Sequence, residues 1–553
     1  MYPAAQVISG GVPVSSPVIR TVGTAPMVAA APGAAKVTYM TAANGSSLKP
    51  AQPARVISSA MPTTPAVVQA ATVTAVPPVP VAAPAPAPAA APPAEAAPEE
   101  PAPKDEFGGR MPEGATPESS FTTMCLYAGQ EPDPSTGTRV TPIHQNTGFV
   151  FKNTDDAAAK FALQAFGPIY TRIGNPTCDA LEKKIAMLEG GMAALSVASG
   201  HAAQMLAFTN LMNAGDNFIS TKQLYGGSVT QFGRQFKQFG WEARFFDCDD
   251  YAGMKGAIDA NTKAVYCESI CNPGGVITDL AKVAEIAHSA GLPLIVDNTT
   301  ATPYLCRPFE FGADIVLHSA TKYLSGHGNA LCGFIVEKGD FDWSKGGKFP
   351  ILATPCDSYH GLNFYEVFGK DGPVAGMFGT QGKTGLTFIV GARALGLRDV
   401  GAAVSPFNAF LVSMGMETLA LRMDRHCFNA LKVAQFLERH PAVAYVTYAG
   451  LPASKYNALA RKYCPKGASG LFTFSCKGGF EAAKKVVNAV KMISLVANLG
   501  DTRTLIAHPA SMMHSQLTEE QQKAAGADPS VIRLSIGIED VQDIINDLDQ
   551  ALR

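Results

Sequence analysis

The stretch Ala313-Asp-Ile-Val-Leu-His-Ser-Ala-Thr-Lys-Tyr323 decides how the rest of this chain is read. Ile315-Val316-Leu317 is a short apolar run that predicts a buried strand, and the small polar loop after it presents one lysine, Lys322. Upstream, Leu292-Pro-Leu-Ile-Val-Asp297 is a second apolar, β-branched strand with a carboxylate at its C-terminal end. In an open α/β sheet, ligands bind in the crevice outside the carboxyl ends of the strands. An amine and a carboxylate delivered there by neighbouring strands suit pyridoxal phosphate (PLP). The lysine would form the Schiff base, and the acid would keep the pyridine nitrogen protonated so that the ring accepts carbanion electrons. By itself the pair also fits two ordinary charges at strand ends.

Three further segments bear on that choice. In Leu195-Ser-Val-Ala-Ser-Gly-His-Ala-Ala-Gln204 a short apolar run meets Ser199-Gly200, and a helical pattern then runs to about Asn213, where Ala214-Gly215 stops it. Ser199 reads as an N-cap and Gly200 allows close backbone approach, so the free first N–H groups make an anion site suited to a phosphate. Ser319 and Thr321, beside the lysine, offer hydroxyls to the same phosphate. Leu224-Tyr-Gly-Gly-Ser228 puts an aromatic, Tyr225, at a glycine-rich turn where it suits stacking on a cofactor ring; a half-buried turn tyrosine is the plainer reading. In Glu268-Ser-Ile-Cys-Asn-Pro273, after the strand-like Lys263-Ala-Val-Tyr266, Asn272 suits a hydrogen bond to the cofactor's phenolic oxygen, although an Asn-Pro pair alone is loop chemistry.

Together with Pro168-Ile-Tyr-Thr-Arg-Ile-Gly-Asn-Pro-Thr177, these segments resemble the cysteine/methionine-metabolism family of PLP enzymes, over roughly residues 121–553. The resemblance implies an α/β, fold-type-I architecture with a mostly parallel large domain and a smaller C-terminal α/β domain. It makes Lys322 the cofactor lysine and a catalytic proton carrier, Asp297 the pyridinium partner and Tyr225 the stacking ring. Ser199, Gly200, His201, Ser319 and Thr321 would surround the phosphate. Tyr170 and Arg172 would reach the phosphate of a neighbouring subunit, which implies a homo-oligomer of at least two chains and, by family habit, a dimer of dimers. Val531-Ile-Arg-Leu-Ser-Ile-Gly-Ile-Glu-Asp540 matches the family's carboxylate-binding segment, with Arg533 gripping the substrate carboxylate through its planar fork.

Within the family the match is most similar to O-acetylhomoserine sulfhydrylases, through Tyr127-Ala-Gly-Gln-Glu-Pro-Asp-Pro134, Ser405-Pro-Phe-Asn-Ala-Phe410 and Met416-Glu-Thr-Leu-Ala-Leu-Arg422. Ala497-Asn-Leu-Gly-Asp-Thr-Arg-Thr-Leu505 discriminates: the transsulfuration branch usually carries Ser-Leu-Gly-Gly there and then a glutamate, where this chain has Asn498 and Arg503. Losing that carboxylate disfavours a second amino group in the pocket, so the expected substrates are O-acetylhomoserine and sulfide, with Asn498 near the substrate. Cystathionine γ-synthase or γ-lyase activity is the alternative. Two departures bear on substrate fit: His144 stands where the family commonly has tyrosine, and Met512-Met513 where sulfhydrylases more often have threonines. The implied reaction is γ-elimination of acetate followed by addition of hydrosulfide, with Lys322 and Tyr225 sharing the proton transfers.

The remaining sequence organises around this unit. Residues 1–117 are Ala-, Pro- and Val-rich and read as solvated, polyproline-like coil unable to form a packed core. Arg20, Lys36, Lys49 and Arg55 with no acid before Glu95 also suit an organellar transit segment, though arginine is scarce; the expected location is cytoplasmic, with organellar import as the alternative. The expected division is an arm over 118–175 reaching the neighbouring subunit, a PLP-binding large domain over 176–405 and a small domain over 406–553. Forty-four basic and 46 acidic residues, well mixed at net charge −2, argue against a nucleic-acid surface, and no uninterrupted apolar stretch long enough for a membrane span occurs. The 11 cysteines are scattered, and the Cys267/Cys271 spacing lacks a second pair, so buried thiols are expected rather than a metal site. Gly376-Met-Phe-Gly-Thr-Gln-Gly-Lys-Thr384 imitates a phosphate-binding loop but has Met377 where the motif requires its first glycine.

Overall fold

The computed structural model describes residues 115–553 apart from Pro134, Met513, His514, Gln516, Leu517 and Ala525. Nearly all of the Ala/Pro-rich segment and Met513 therefore lie outside the described residues.

The alternation read from the sequence builds a seven-stranded sheet from β1 (Ala193–Val197), β2 (Asn217–Thr221), β3 (Glu242–Phe246), β4 (Thr262–Glu268), β5 (Leu294–Asp297), β6 (Ile315–Ser319) and β7 (Gly333–Glu337). Their order is β1-β7-β6-β5-β4-β2-β3, and every neighbouring pair is parallel except those of β7, which runs antiparallel to both β1 and β6. The central strands carry apolar residues on both faces because both faces are covered. Val265, Cys267, Leu294, Val296 and Val316 pack into one core, and the intervening Ala264, Tyr266, Ile295, Ile315 and Leu317 into the other. Successive strand side chains point to opposite faces, so one run of residues serves two cores.

Helix Leu280–Ser289 covers the first face with Leu280, Val283, Ala284 and Ala287, which recur at helical spacing, and Gly291 turns the chain at φ +67°. Asp279 would be expected from its position before the apolar pattern to cap this helix, but it does not. Asp279 stands at the cap position without a capping bond; its carboxylate takes the Tyr463 hydroxyl, and that hydroxyl oxygen accepts the Ala281 N–H at 3.1 Å. Helix Gly200–Thr209 covers the other face through Ala203, Leu206 and Ala207. A Cβ on Gly333 would lie 2.1 Å from the Ser199 carbonyl oxygen, so glycine there lets the turn into this helix drop onto the sheet.

A second sheet follows, formed by β8 (Val443–Thr447), β9 (Leu471–Cys476), β10 (Ser494–Leu495), β11 (Leu505–Ala507) and β12 (Val531–Ser535) in the order β10-β11-β12-β9-β8. Its pairs are antiparallel except β10–β11. Helices Pro406–Glu417 and Leu419–Arg439 lead into it, with a break at Thr418. None of the 11 cysteines is disulfide-bonded, and all but Cys356 are buried. Among the described residues no helix is long and apolar enough to cross a membrane.

Candidate active site

β4, β5 and β6 lie side by side in parallel, so Glu268, Asp297 and the loop after Ser319 emerge at one sheet edge. Lys322 is held there by its N–H to the Ser319 carbonyl at 3.2 Å, and its Nζ donates to Asn498 Oδ1 at 2.7 Å. Burial, seconded by the Arg533 charge, pushes its ammonium down to about 8. Asp297 Oδ1 accepts the Thr299 N–H at 3.0 Å and Oδ2 the Tyr266 hydroxyl at 3.4 Å. Tyr266 in turn accepts from Gln204 Nε2 at 2.8 Å, which also donates to Ser228 Oγ at 2.9 Å. These contacts fix the carboxylate at the cleft wall.

The opposite end of the cleft is an anion seat. Ser199 caps helix Gly200–Thr209 by accepting the Ala202 N–H at 3.1 Å, which leaves the first-turn N–H groups of Gly200 and His201 at the helix's positive end. A Cβ on Gly200 would come within 2.7 Å of Ser319 Cβ, so a side chain at 200 would close the space between helix and lysine loop. Ser319 and Thr321 line the same end. The His201 ring lies nearly parallel to Tyr225 at 5.7 Å and 29°, and burial pushes its imidazolium pKa down. Tyr225 itself is 37% exposed in the single chain and lines the cleft.

The second sheet supplies the remaining wall. Arg533 sits in mid-β12, 3% exposed, with Nη1 on Asn272 Oδ1 at 3.1 Å and Nη2 on the Asn498 carbonyl at 2.7 Å. Its Nε is buried without a partner. Burial pushes the guanidinium down to about 10, and the groups opposing this are Tyr225 and Tyr323 rather than carboxylates. A buried guanidinium with a spare donor and no carboxylate is a site for an incoming one.

The cleft thus gathers Ser199, Gly200, His201, Tyr225, Asn272, Asp297, Ser319, Thr321, Lys322, Asn498 and Arg533 from the residues singled out in the sequence. Asn272 lines the cleft with its side-chain oxygen accepting from Arg533 Nη1 at 3.1 Å, a bond that leaves its amide N–H groups uncommitted to Arg533. Tyr170 and Arg172 do not line the cleft of their own chain; Arg172 stacks on Tyr170 at 5.4 Å and donates to the Arg398 carbonyl at 2.6 Å. Arg503, which stands where the transsulfuration branch usually has a glutamate, has a 69% exposed side chain paired with Asp501 at 3.7 Å. His144 is likewise away from the cleft, its N–H on Thr177 Oγ1 at 2.9 Å, and Met512 borders a polar recess outside Tyr225 with Arg234 and Gln231.

Three residues of consequence had no assigned role. Glu268 and Gln204 line the cleft, and Glu268 carries the same signature as Asp297, an acid closing a buried strand. Arg422 is 4% exposed and donates to the carbonyls of Tyr323 at 2.7 Å and Gly415 at 2.7 Å, pinning the turn that follows Lys322. Its seven-residue segment was informative only through resemblance, because its partners lie on another element.

An amine, a fixed carboxylate, an aromatic face and a helix N-terminus with hydroxyls in one cleft fit pyridoxal phosphate group by group. Comparison with known proteins agrees. The curated relatives include the O-acetyl-L-homoserine sulfhydrylase of Leptospira meyeri, 46% identical over 81% of this chain and 98% of its own. The homocysteine synthase of Schizosaccharomyces pombe is 45% identical over 78% of this chain and 98% of its own. Among solved structures, an O-acetylhomoserine (thiol)-lyase from Campylobacter jejuni carrying a pyridoxyl-lysine phosphate superposes with a TM-score of 0.74 at 41% identity, covering 78% of this chain and all of that one. The family model for Cys/Met metabolism PLP-dependent enzymes matches residues 122–553, and this chain belongs to that family.

Proposed function

We propose that the protein replaces the acetyl ester of O-acetylhomoserine with sulfur: the γ-carbon–oxygen bond breaks, acetate leaves with the electron pair, and hydrosulfide forms the γ-carbon–sulfur bond of L-homocysteine. The observation that carries this reading is the adjacency of Lys322 and Arg533. Asn498 accepts the lysine amine through its side chain and the guanidinium through its carbonyl, so the proton carrier and the carboxylate grip share one support.

Bound at Lys322, PLP supplies the electron sink that acidifies the substrate's α-proton. Arg533 orients the amino acid by its carboxylate through two parallel N–H donors. The Lys322 amine, held near 8, exchanges protons readily at neutral pH and takes the α-proton as general base. Tyr225, over the cleft, shares the later proton transfers with it. Asp297 would hold the positive ring nitrogen, and Ser199, Gly200, His201, Ser319 and Thr321 would hold the phosphate.

The acceptor follows from what the cleft lacks. Its lining carboxylates are Asp297 and Glu268, and each already has both oxygens hydrogen-bonded. A cysteine acceptor would bring a second ammonium with no free carboxylate among these lining residues, whereas hydrosulfide needs none. The names of the relatives point the same way. Purified protein with PLP, O-acetylhomoserine and either sulfide or cysteine tests this by mass spectrometry. Homocysteine from sulfide with little cystathionine from cysteine is expected, and cystathionine as the main product overturns it in favour of transsulfuration.

We also infer that Tyr170 and Arg172, on the 118–175 arm, serve the phosphate seat of a second copy, so that the working unit is at least a dimer, paired into a tetramer. The division into a large domain over 176–405 and a small one over 406–553, and a cytoplasmic location, belong to the same reading.

A further inference from the structure

Glu268 closes β4 as Asp297 closes β5, and the two are register partners. It is 5% exposed, and the influences on its carboxyl are burial and the Asp297 charge, which push it well up, against two backbone N–H groups, with no cation among them. A buried acid without a counter-ion is costly, and a site retains one only where its acceptors are needed. Here both are used. Oε1 accepts the Tyr225 N–H at 2.7 Å, and Oε2 accepts the Asn272 N–H at 2.9 Å.

The bonds continue beyond Asn272. Its Oδ1 accepts from Arg533 at 3.1 Å, Arg533 donates to the Asn498 carbonyl at 2.7 Å, and Asn498 Oδ1 accepts from Lys322 at 2.7 Å. One chain of hydrogen bonds therefore runs around the cleft from Tyr225 to Lys322, and Glu268 is the link joining the ring-bearing turn to the guanidinium-bearing wall. Only a carboxyl presents two acceptors as a fork; an amide of the same shape has one acceptor and one donor group.

We propose that Glu268 is a positioning residue whose carboxyl fork ties the backbone of Tyr225 to that of Asn272, holding the ring over the cofactor in register with the Arg533 grip on the substrate. It acts through those two residues, both of its oxygens being taken up by their backbone N–H groups. The inference rests on the roles given to Tyr225 and Arg533 above.

The test is Glu268→Gln in the reconstituted holoenzyme. One wall loses its tie while the shape is kept, so cofactor load and far-ultraviolet circular dichroism stay at wild-type values. The visible circular dichroism of the bound cofactor falls to half or less, and KM for O-acetylhomoserine rises by up to about tenfold, the size of one lost hydrogen bond. KM for sulfide is unchanged. Unaltered visible dichroism together with unaltered KM overturns the proposal. If the variant does not fold, amide hydrogen exchange of the wild-type holoenzyme, resolved to single residues by fragmentation, decides. The Tyr225 and Asn272 N–H groups should exchange at least a hundredfold more slowly than unprotected backbone, and rapid exchange at either one overturns the clamp. Dichroism and exchange need no turnover, so a failure of the sulfhydrylase reading remains separate from a failure of this one.

Discussion

The two walls of the cleft place their chemical groups differently. On the large-sheet wall, Glu268 and Asp297 end adjacent parallel strands and Lys322 follows the end of a third, so the strand register alone brings them together. On the small-sheet wall, Arg533 occupies the middle of β12 between β9 and β11, and Asn498 lies in the connection between β10 and β11. The cofactor groups are thus fixed within one sheet, whereas the substrate grip depends on how a second sheet meets it. Chemistry should accordingly fail most severely on the first wall, and substrate affinity on the second.

Lys322→Ala tests the first half with the largest effect. Loss of a general base costs about 10²–10⁴-fold, and the cofactor attachment is lost as well, so homocysteine formation should fall by at least about 10³-fold. PLP should remain bound but fail to be fixed by borohydride reduction. Appreciable turnover in this variant removes Lys322 from the mechanism. Arg533→Ala tests the second half. A charge-assisted pair truncated on one side costs about 2–5 kcal/mol, so KM for O-acetylhomoserine should rise about a hundredfold or more, with a smaller fall in kcat. A kcat loss as large as that of Lys322→Ala would erase the distinction between the walls.

The pH dependence of reconstitution sharpens the contrast from the cofactor side. Only the neutral Lys322 amine reacts with the PLP aldehyde, and burial and Arg533 lower its pKa to about 8. Below that value the reactive fraction falls about tenfold per pH unit, and above it the fraction saturates. Stopped-flow reconstitution of the apoprotein should therefore accelerate from pH 6 to 8 and level off near pH 8.5. Continued acceleration toward pH 10 would mean that the amine is solvated like an ordinary lysine. In Arg533→Ala the levelling should move upward, because a like charge has been removed.

The same contrast explains what the sequence disclosed. Lys322 and Asp297 were readable because a short β-branched run ending in a polar residue is a local pattern, and the Ser199-Gly200 turn is another. Glu268 has that pattern too, but its meaning lies in N–H groups on Tyr225 and on a loop beyond its own strand, which only the folded backbone supplies. Arg533 is a lone charge inside an apolar strand, a signal of burial without a stated partner, and resemblance rather than periodicity assigned its task. At Arg503 the sequence disclosed only the missing glutamate; that its own side chain is 69% exposed beside Asp501 is a fact of the fold. Arg422 and Tyr463 act across elements distant in sequence, so their contacts had no local signature.

Tyr463 provides the mildest test, because it supports the large sheet from outside the cleft. Its hydroxyl accepts the Ala281 N–H and bonds the buried Asp279, at the start of the helix between β4 and β5. Tyr463→Phe keeps the ring in its edge-on contact with Phe311 at 4.7 Å and removes only those bonds. Asp279 retains Lys282 and Lys462, whose side chains are 58% and 50% exposed, so these pairs compensate weakly. The expected loss is about 1 kcal/mol, and the melting temperature should fall by roughly 2 °C, read by calorimetry on the holoenzyme. Because strand register, rather than this helix start, aligns Asp297 and Lys322, kcat should stay within about twofold of wild type, well inside the tenfold that 1.4 kcal/mol represents. A parallel fall in kcat would show that the cofactor wall draws its alignment from the helix layer as well, and that its independence from the rest of the fold is smaller than the register alone implies.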